Sequence, residues 1–139
     1  MSNVIPPDAY VLIIGAQKAA TTTLFNLLAE HPAICPAKRK EPKYFIEERS
    51  APYETLFEYN PEVHERCLEG STAYTMFPDI TGVPKRIKEY GLEPYFLYSV
   101  RNPFDRIESE HRFGKVQNAP WKKEEIVNLG AIHRSMYYL

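Results

Sequence analysis

Lys18 stands in a turn between an apolar run, Val11-Leu12-Ile13-Ile14-Gly15, and three consecutive threonines, Thr21, Thr22 and Thr23. A short apolar run with branched side chains reads as a buried strand, here Val11–Ile14, which Gly15 ends in a tight turn. Leu24, Leu27 and Leu28 then fall on one face of a helix expected over Thr22–Glu30, which His31-Pro32 stops. The first N–H groups of a helix have no intrahelical partner, and the dipole there favours negative charge. A lysine beside them therefore makes an anion site. The bland alternative is an ordinary strand–turn–helix with a solvated lysine. A Walker A loop is excluded, because Ala20 occupies its second glycine position and Thr21 the place of its lysine.

Two further groups carry chemistry. In Lys38-Arg39-Lys40-Glu41-Pro42-Lys43-Tyr44-Phe45 a single acid, Glu41, is set among bases. Positive surroundings favour an ionised carboxylate, which can take a proton from a hydroxyl or amine. Most such runs are only solvated loops. The other group follows a second apolar run, Pro94–Val100, and reads Arg101-Asn102-Pro103-Phe104-Asp105-Arg106-Ile107-Glu108-Ser109. Asn102 suits an N-cap and Pro103 a first helical residue. Arg101 then lies at a strand end and Ser109 two turns into the helix, a gap of ~10 Å that an extended arginine closes onto a shared phosphate. Arg106 and Arg112 flank Ser109 on about the same face. Their simpler reading is pairing with neighbouring acids, for which Glu108 and Arg112 are well spaced.

The segment Lys18-x-x-Thr21-Thr22 after a buried strand resembles the 5′-phosphosulfate loop of sulfotransferases that use 3′-phosphoadenosine 5′-phosphosulfate (PAPS). The family usually carries glycine where this chain has Ala20. Lys40-Glu41-Pro42-Lys43-Tyr44-Phe45 resembles the K-E-P-x-[YF]-F segment of the carbohydrate, heparan sulfate modifying type, whose glutamate is the proposed base. Arg101 and Ser109 match the family's 3′-phosphate motif at its spacing. Glu69, Ser71 and Tyr74 match a G-E-x-S-P-x-Y segment, with Thr72 in place of its proline. The resemblance implies sulfuryl transfer from PAPS to a hydroxyl or amine, with 3′,5′-adenosine diphosphate as product and no metal. It implies that Lys18 steadies the departing phosphate and Glu41 takes the acceptor proton. The N–H groups of Ala19, Ala20, Thr21, Thr22 and Thr23, with the Thr21 and Thr22 hydroxyls, would cradle the 5′-phosphate. Arg101 and Ser109 would hold the 3′-phosphate, Ser71 and Tyr74 would join Glu41 on the acceptor side, and Lys40 would orient the acceptor or the sulfuryl oxygens. His111 and His133 read as structural.

These groups need a scaffold of alternating strands and helices. We expect an α/β fold with a parallel sheet and helices on both faces, similar to P-loop kinases without the Walker lysine. The Arg66–Glu69 run supplies another strand, Ala33–Pro36 a short extended piece, Leu56-Phe57 part of a short helix, and Val83–Tyr90 an exposed helix that Gly91 ends. The run Pro94–Val100 suits a strand covered on both faces. A leader covers residues 1–10. Ile126, Val127, Leu129, Ile132, Met136 and Leu139 approximate a helical stripe.

The 139 residues suffice for one domain, read as the N-terminal part of a sulfotransferase domain. Lys+Arg 17 against Asp+Glu 18 removes the bulk basicity expected of a nucleic-acid binder, so any anion site is a local cluster. Cys35 and Cys67 lack metal-site spacing and read as buried free thiols. No apolar run approaches the ~20 residues of a membrane span. Together with the lack of a signal peptide, these features suggest a cytoplasmic protein. Two other functions remain: a PAPS-binding module without turnover, and a nucleotide kinase with an unusual loop. Sugar, glycolipid, polyketide and small alcohol all remain open as acceptors.

Overall fold

The computed structural model describes residues 4–47 and 49–116, so the stripe at 126–139 lies outside the described residues. The fold is α/β: four parallel strands with helices on both faces of the sheet. The strands are β1 (Tyr10–Gly15), β2 (Ile34–Pro36), β3 (Arg66–Gly70) and β4 (Tyr95–Tyr98), in the order β2-β3-β1-β4. Leu12 of β1 stands opposite Glu69 of β3 and Phe96 of β4, and Cys35 stands opposite Cys67. The helices are α1 (Thr21–Ala29), α2 (Val83–Tyr90) and α3 (Pro103–Val116). Among the described residues no helix is long and apolar enough to cross a membrane.

Side chains alternate across a strand, and this alternation divides the core in two. Ile13 and Leu68 meet Phe25, Leu24 and Leu28 of α1 on one face. Tyr10, Leu12 and Cys67 face the other, where α2 contributes Val83 and Ile87. Loop aromatics fill that second layer. Tyr53 is fully buried in a 3-10 turn, Tyr53–Leu56, with ring centroids 4.9 Å from Phe45, 5.0 Å from Tyr44 and 5.3 Å from Tyr10. Cys35 and Cys67 are buried free thiols. Burial pushes both thiols' pKa values up, so neither is an activated nucleophile.

Three expectations change. Tyr10 belongs to β1, and within the stretch before it Ile5 and Ala9 are buried while Val4, Pro6, Pro7 and Asp8 are exposed. The first helix starts at Thr21, one residue earlier than its apolar spacing suggests, and ends at Ala29. The run after Pro94 forms a four-residue strand at the edge of the sheet among the described residues, with Tyr95, Phe96 and Tyr98 exposed. An apolar run cannot by itself distinguish a central strand from an edge.

Candidate active site

The loops after β1, β3 and β4 converge at the carboxyl ends of the strands, where open parallel sheets bind ligands. A cavity of about 540 Å³ lies there. Lys18, Ala20, Thr21 and Thr22 line one side, with Arg101 and Ser109 contributed by the β4–α3 region. Glu41 and Lys43 line it from the segment after β2, and Thr72 from the turn after β3. Four segments distant in sequence therefore line one cavity.

The loop after β1 is held from several directions. Ala16 N–H donates to Ser99 O at 2.8 Å, and Ser99 N–H donates to Gly15 O at 2.8 Å. A side chain at Gly15 would overlap the Thr75 hydroxyl and the Tyr98 ring, so this position requires close backbone approach. Three successive loop carbonyls accept side-chain donors: Gln17 O from Arg106 at 3.4 Å, Lys18 O from Arg101 at 3.4 Å, and Ala19 O from the Ser99 hydroxyl at 2.6 Å. The Lys18 ammonium lies 4.1 Å from the centroid of the Phe113 ring, a cation–π contact that fixes its height over α3.

Lys18 (φ 67°) and Ala20 (φ 60°) both adopt left-handed backbone conformations. Ala20 is the N-cap of α1 and makes no side-chain cap hydrogen bond. A Cβ in this region costs about 1 kcal/mol, so the alanine departure noted in the sequence falls at a strained position. Ala20→Gly is expected to raise stability by roughly 0.5–1 kcal/mol, read from urea unfolding midpoints. An unchanged or lower midpoint would show that the alanine is unstrained.

The cavity does not gather every expected residue. Ala19 is buried, donates its N–H to Ala16 O at 3.2 Å and does not line the cavity wall. Thr23 is exposed on α1 and lies outside the cavity wall. Lys40 pairs with Glu41 at 3.0 Å and does not line the wall. Ser71 and Tyr74 are buried and serve the segment behind the cavity. The Ser71 hydroxyl accepts Lys43 N–H at 3.0 Å, and the Tyr74 hydroxyl accepts Phe45 N–H at 3.3 Å. Their neighbour Thr72 reaches the cavity instead, donating to Glu41 Oε1 at 3.3 Å.

Beneath these residues sits Glu69, fully buried. Its Oε2 accepts the Tyr53 hydroxyl at 2.6 Å and the Tyr74 hydroxyl at 3.1 Å. Burial raises its pKa; hydrogen bonds from Ser71, Tyr53 and Tyr74 oppose that shift, and the charge of Glu41 adds to it. In α3 the Asn102 side chain caps the helix by accepting Phe104 N–H at 3.0 Å, as its position suggested. Arg106 turns inward, fully buried, and pairs with Glu110 at 2.8 Å, while Arg112 pairs with Glu108 on the surface. Neither arginine lines the cavity.

Sequence reasoning passed over Gln17, Lys43, Thr72 and Phe113 in the cavity wall, and Ser99 behind it. Lys43 was visible as a base two residues beyond Glu41. Ser99 and Phe113 carried no motif signal.

No protein-family model matches the chain, and no curated protein matches it by sequence. Among solved structures it is similar to a sulfotransferase from Alicyclobacillus acidocaldarius, with a TM-score of 0.63 and 22% identity over 89% of this chain. The chain spans 54% of that protein's length. The α/β fold described above thus matches a sulfotransferase fold over part of its length.

Proposed function

We propose that this chain supplies the donor-binding part of a PAPS-dependent sulfotransferase, and that the cavity receives the donor. The observation that carries this reading is the convergence of Lys18, the first turn of α1, Glu41, Arg101 and Ser109 on one cavity. The N–H groups of the first turn of α1 and the hydroxyls of Thr21 and Thr22 bind the 5′-phosphate. Lys18 offsets the charge that grows on this phosphate as the sulfuryl group departs. Arg101 and Ser109 bind the 3′-phosphate, the feature that separates PAPS from ATP-like donors. Glu41 accepts the proton of an attacking hydroxyl or amine, and Thr72 and Lys40 orient its carboxylate. The acceptor is a carbohydrate, glycolipid or small alcohol. The sulfuryl group moves in line from the phosphate oxygen to the acceptor atom, and the acceptor proton passes to Glu41.

The span of 54% of the similar protein favours a second reading, a module that binds donor without turning it over alone. Calorimetric titration with 3′,5′-adenosine diphosphate, 5′-AMP and ATP tests the donor site common to both. We expect 3′,5′-adenosine diphosphate to bind at least about tenfold more tightly than 5′-AMP, and Arg101→Ala to erase that margin. Tighter binding of magnesium-ATP with indifference to the 3′-phosphate would overturn both readings in favour of a nucleotide kinase.

A further inference from the structure

We infer that Lys43 binds the sulfuryl oxygens of the donor, a role separate from that of Lys40. The inference rests on the donor-site reading above and extends it to a residue outside the matched motifs.

The two lysines flank Glu41 and Pro42 but differ in what they are free to do. Lys40 is engaged by Glu41 at 3.0 Å and lies off the cavity wall. Lys43 lines the wall, and its ammonium has no carboxylate partner among the described residues. Lys43 is exposed, so its ammonium can turn to an anion in the cavity without breaking an ion pair, whereas the other cations there are engaged. Lys18 rests against Phe113 at the mouth of the 5′ loop, and Arg101 is anchored to Lys18 O.

The backbone is arranged to project this side chain. Glu41 (φ 58°) and Lys43 (φ 55°) are both left-handed, a conformation that non-glycine residues adopt only when the surroundings enforce it. Three hydrogen bonds do so. Glu41 N–H donates to Gly70 O at 2.8 Å, Lys43 N–H to the Ser71 hydroxyl, and Phe45 N–H to the Tyr74 hydroxyl. Tyr74 in turn is held by the buried Glu69. A proton-accepting carboxylate and a cation are thus presented side by side, and the atom that a nucleophile beside Glu41 attacks is the sulfur. A fixed cation at the sulfuryl oxygens reduces repulsion between that nucleophile and the negatively charged donor.

The test compares PAPS with 3′,5′-adenosine diphosphate, which lacks only the sulfuryl group, by calorimetric titration of the full chain. Lys43→Met is expected to weaken PAPS at least about fivefold while leaving 3′,5′-adenosine diphosphate within about twofold. Lys43→Arg should retain most of the PAPS affinity. Ser71→Ala, which frees the Lys43 N–H, should shift PAPS in the same direction by a smaller factor. Equal losses for both ligands in a folded Lys43→Met protein would overturn the inference, as would no loss for either. Failure of the unaltered protein to bind 3′,5′-adenosine diphosphate would instead remove the donor-site reading itself.

Discussion

Arg106→Met is expected to lower the unfolding free energy by about 3–5 kcal/mol. Removing one partner of a buried ion pair strands the other charge, and that penalty exceeds what the pair itself contributes. Arg106 is fully buried, its partner Glu110 lies 2.8 Å away one helical turn on, and its second nitrogen supports Gln17 O. For a domain of this size the loss corresponds to a fall of ~10 °C or more in melting temperature. The paired replacement Arg106→Met with Glu110→Leu should recover much of the stability, because both charges then leave the interior. It should not recover the support of Gln17 O, so binding of 3′,5′-adenosine diphosphate should stay weakened in the double variant. Urea unfolding of the two proteins settles this. A loss under 1 kcal/mol for the single variant would show that water reaches Glu110.

The second large effect is expected at Glu69. Glu69→Leu removes the acceptor shared by the Tyr53 and Tyr74 hydroxyls, at a cost of about 1–3 kcal/mol for each hydroxyl left unsatisfied. Glu69→Gln keeps an oxygen acceptor and discards the charge, so it should cost far less and change the pH dependence. The folded-state pKa of Glu69 is raised above its ordinary 4.5, with burial the main cause. The folded protein therefore holds this proton to higher pH than the unfolded chain does. The contribution of Glu69 to stability is full below about pH 4.5, declines as pH rises through the folded value, and then stays level. The stability of Glu69→Gln relative to the unaltered protein should rise across that range and plateau above it. A difference independent of pH, measured by urea unfolding between pH 4 and 8, would rule out the raised pKa.

Much of the fold could be read in the residues because local signals and tertiary packing agree. Val11–Ile14 is apolar because β1 is a central strand, and the leucines of α1 repeat because only one face of that helix meets the sheet. Lys18, Thr21, Thr22, Arg101 and Ser109 stand beside strand ends and helix starts that the sequence marks, and the fold brings them to one cavity. The layer built on Tyr44, Phe45, Tyr53 and Phe57 was not legible, since these residues come from irregular segments with no periodicity to reveal their direction. Which helix face holds Arg106 was hidden for a related reason. Arg106–Glu110 and Glu108–Arg112 are identical spacings, and only the packing of α3 against the loop after β1 buries one and exposes the other. The left-handed backbone at Ala20, Glu41 and Lys43 was equally silent, because none of these is glycine or asparagine. Ser71 and Tyr74 show the converse: residues matching a site motif that work from behind the site.

The three side chains that hold Gln17 O, Lys18 O and Ala19 O come from Arg106, Arg101 and Ser99, all in the short stretch between the end of β4 and the second turn of α3. The spacing between the two ends of the cavity is therefore a property of the protein before any ligand arrives. On the proposed donor-site reading, such a site acts as a gauge. A molecule with anionic groups at the matching separation meets both ends at once, and one with a single group, or with two at the wrong span, must either forgo a contact or bend the gauge. Discrimination by length in this way needs no contact with whatever joins the two groups.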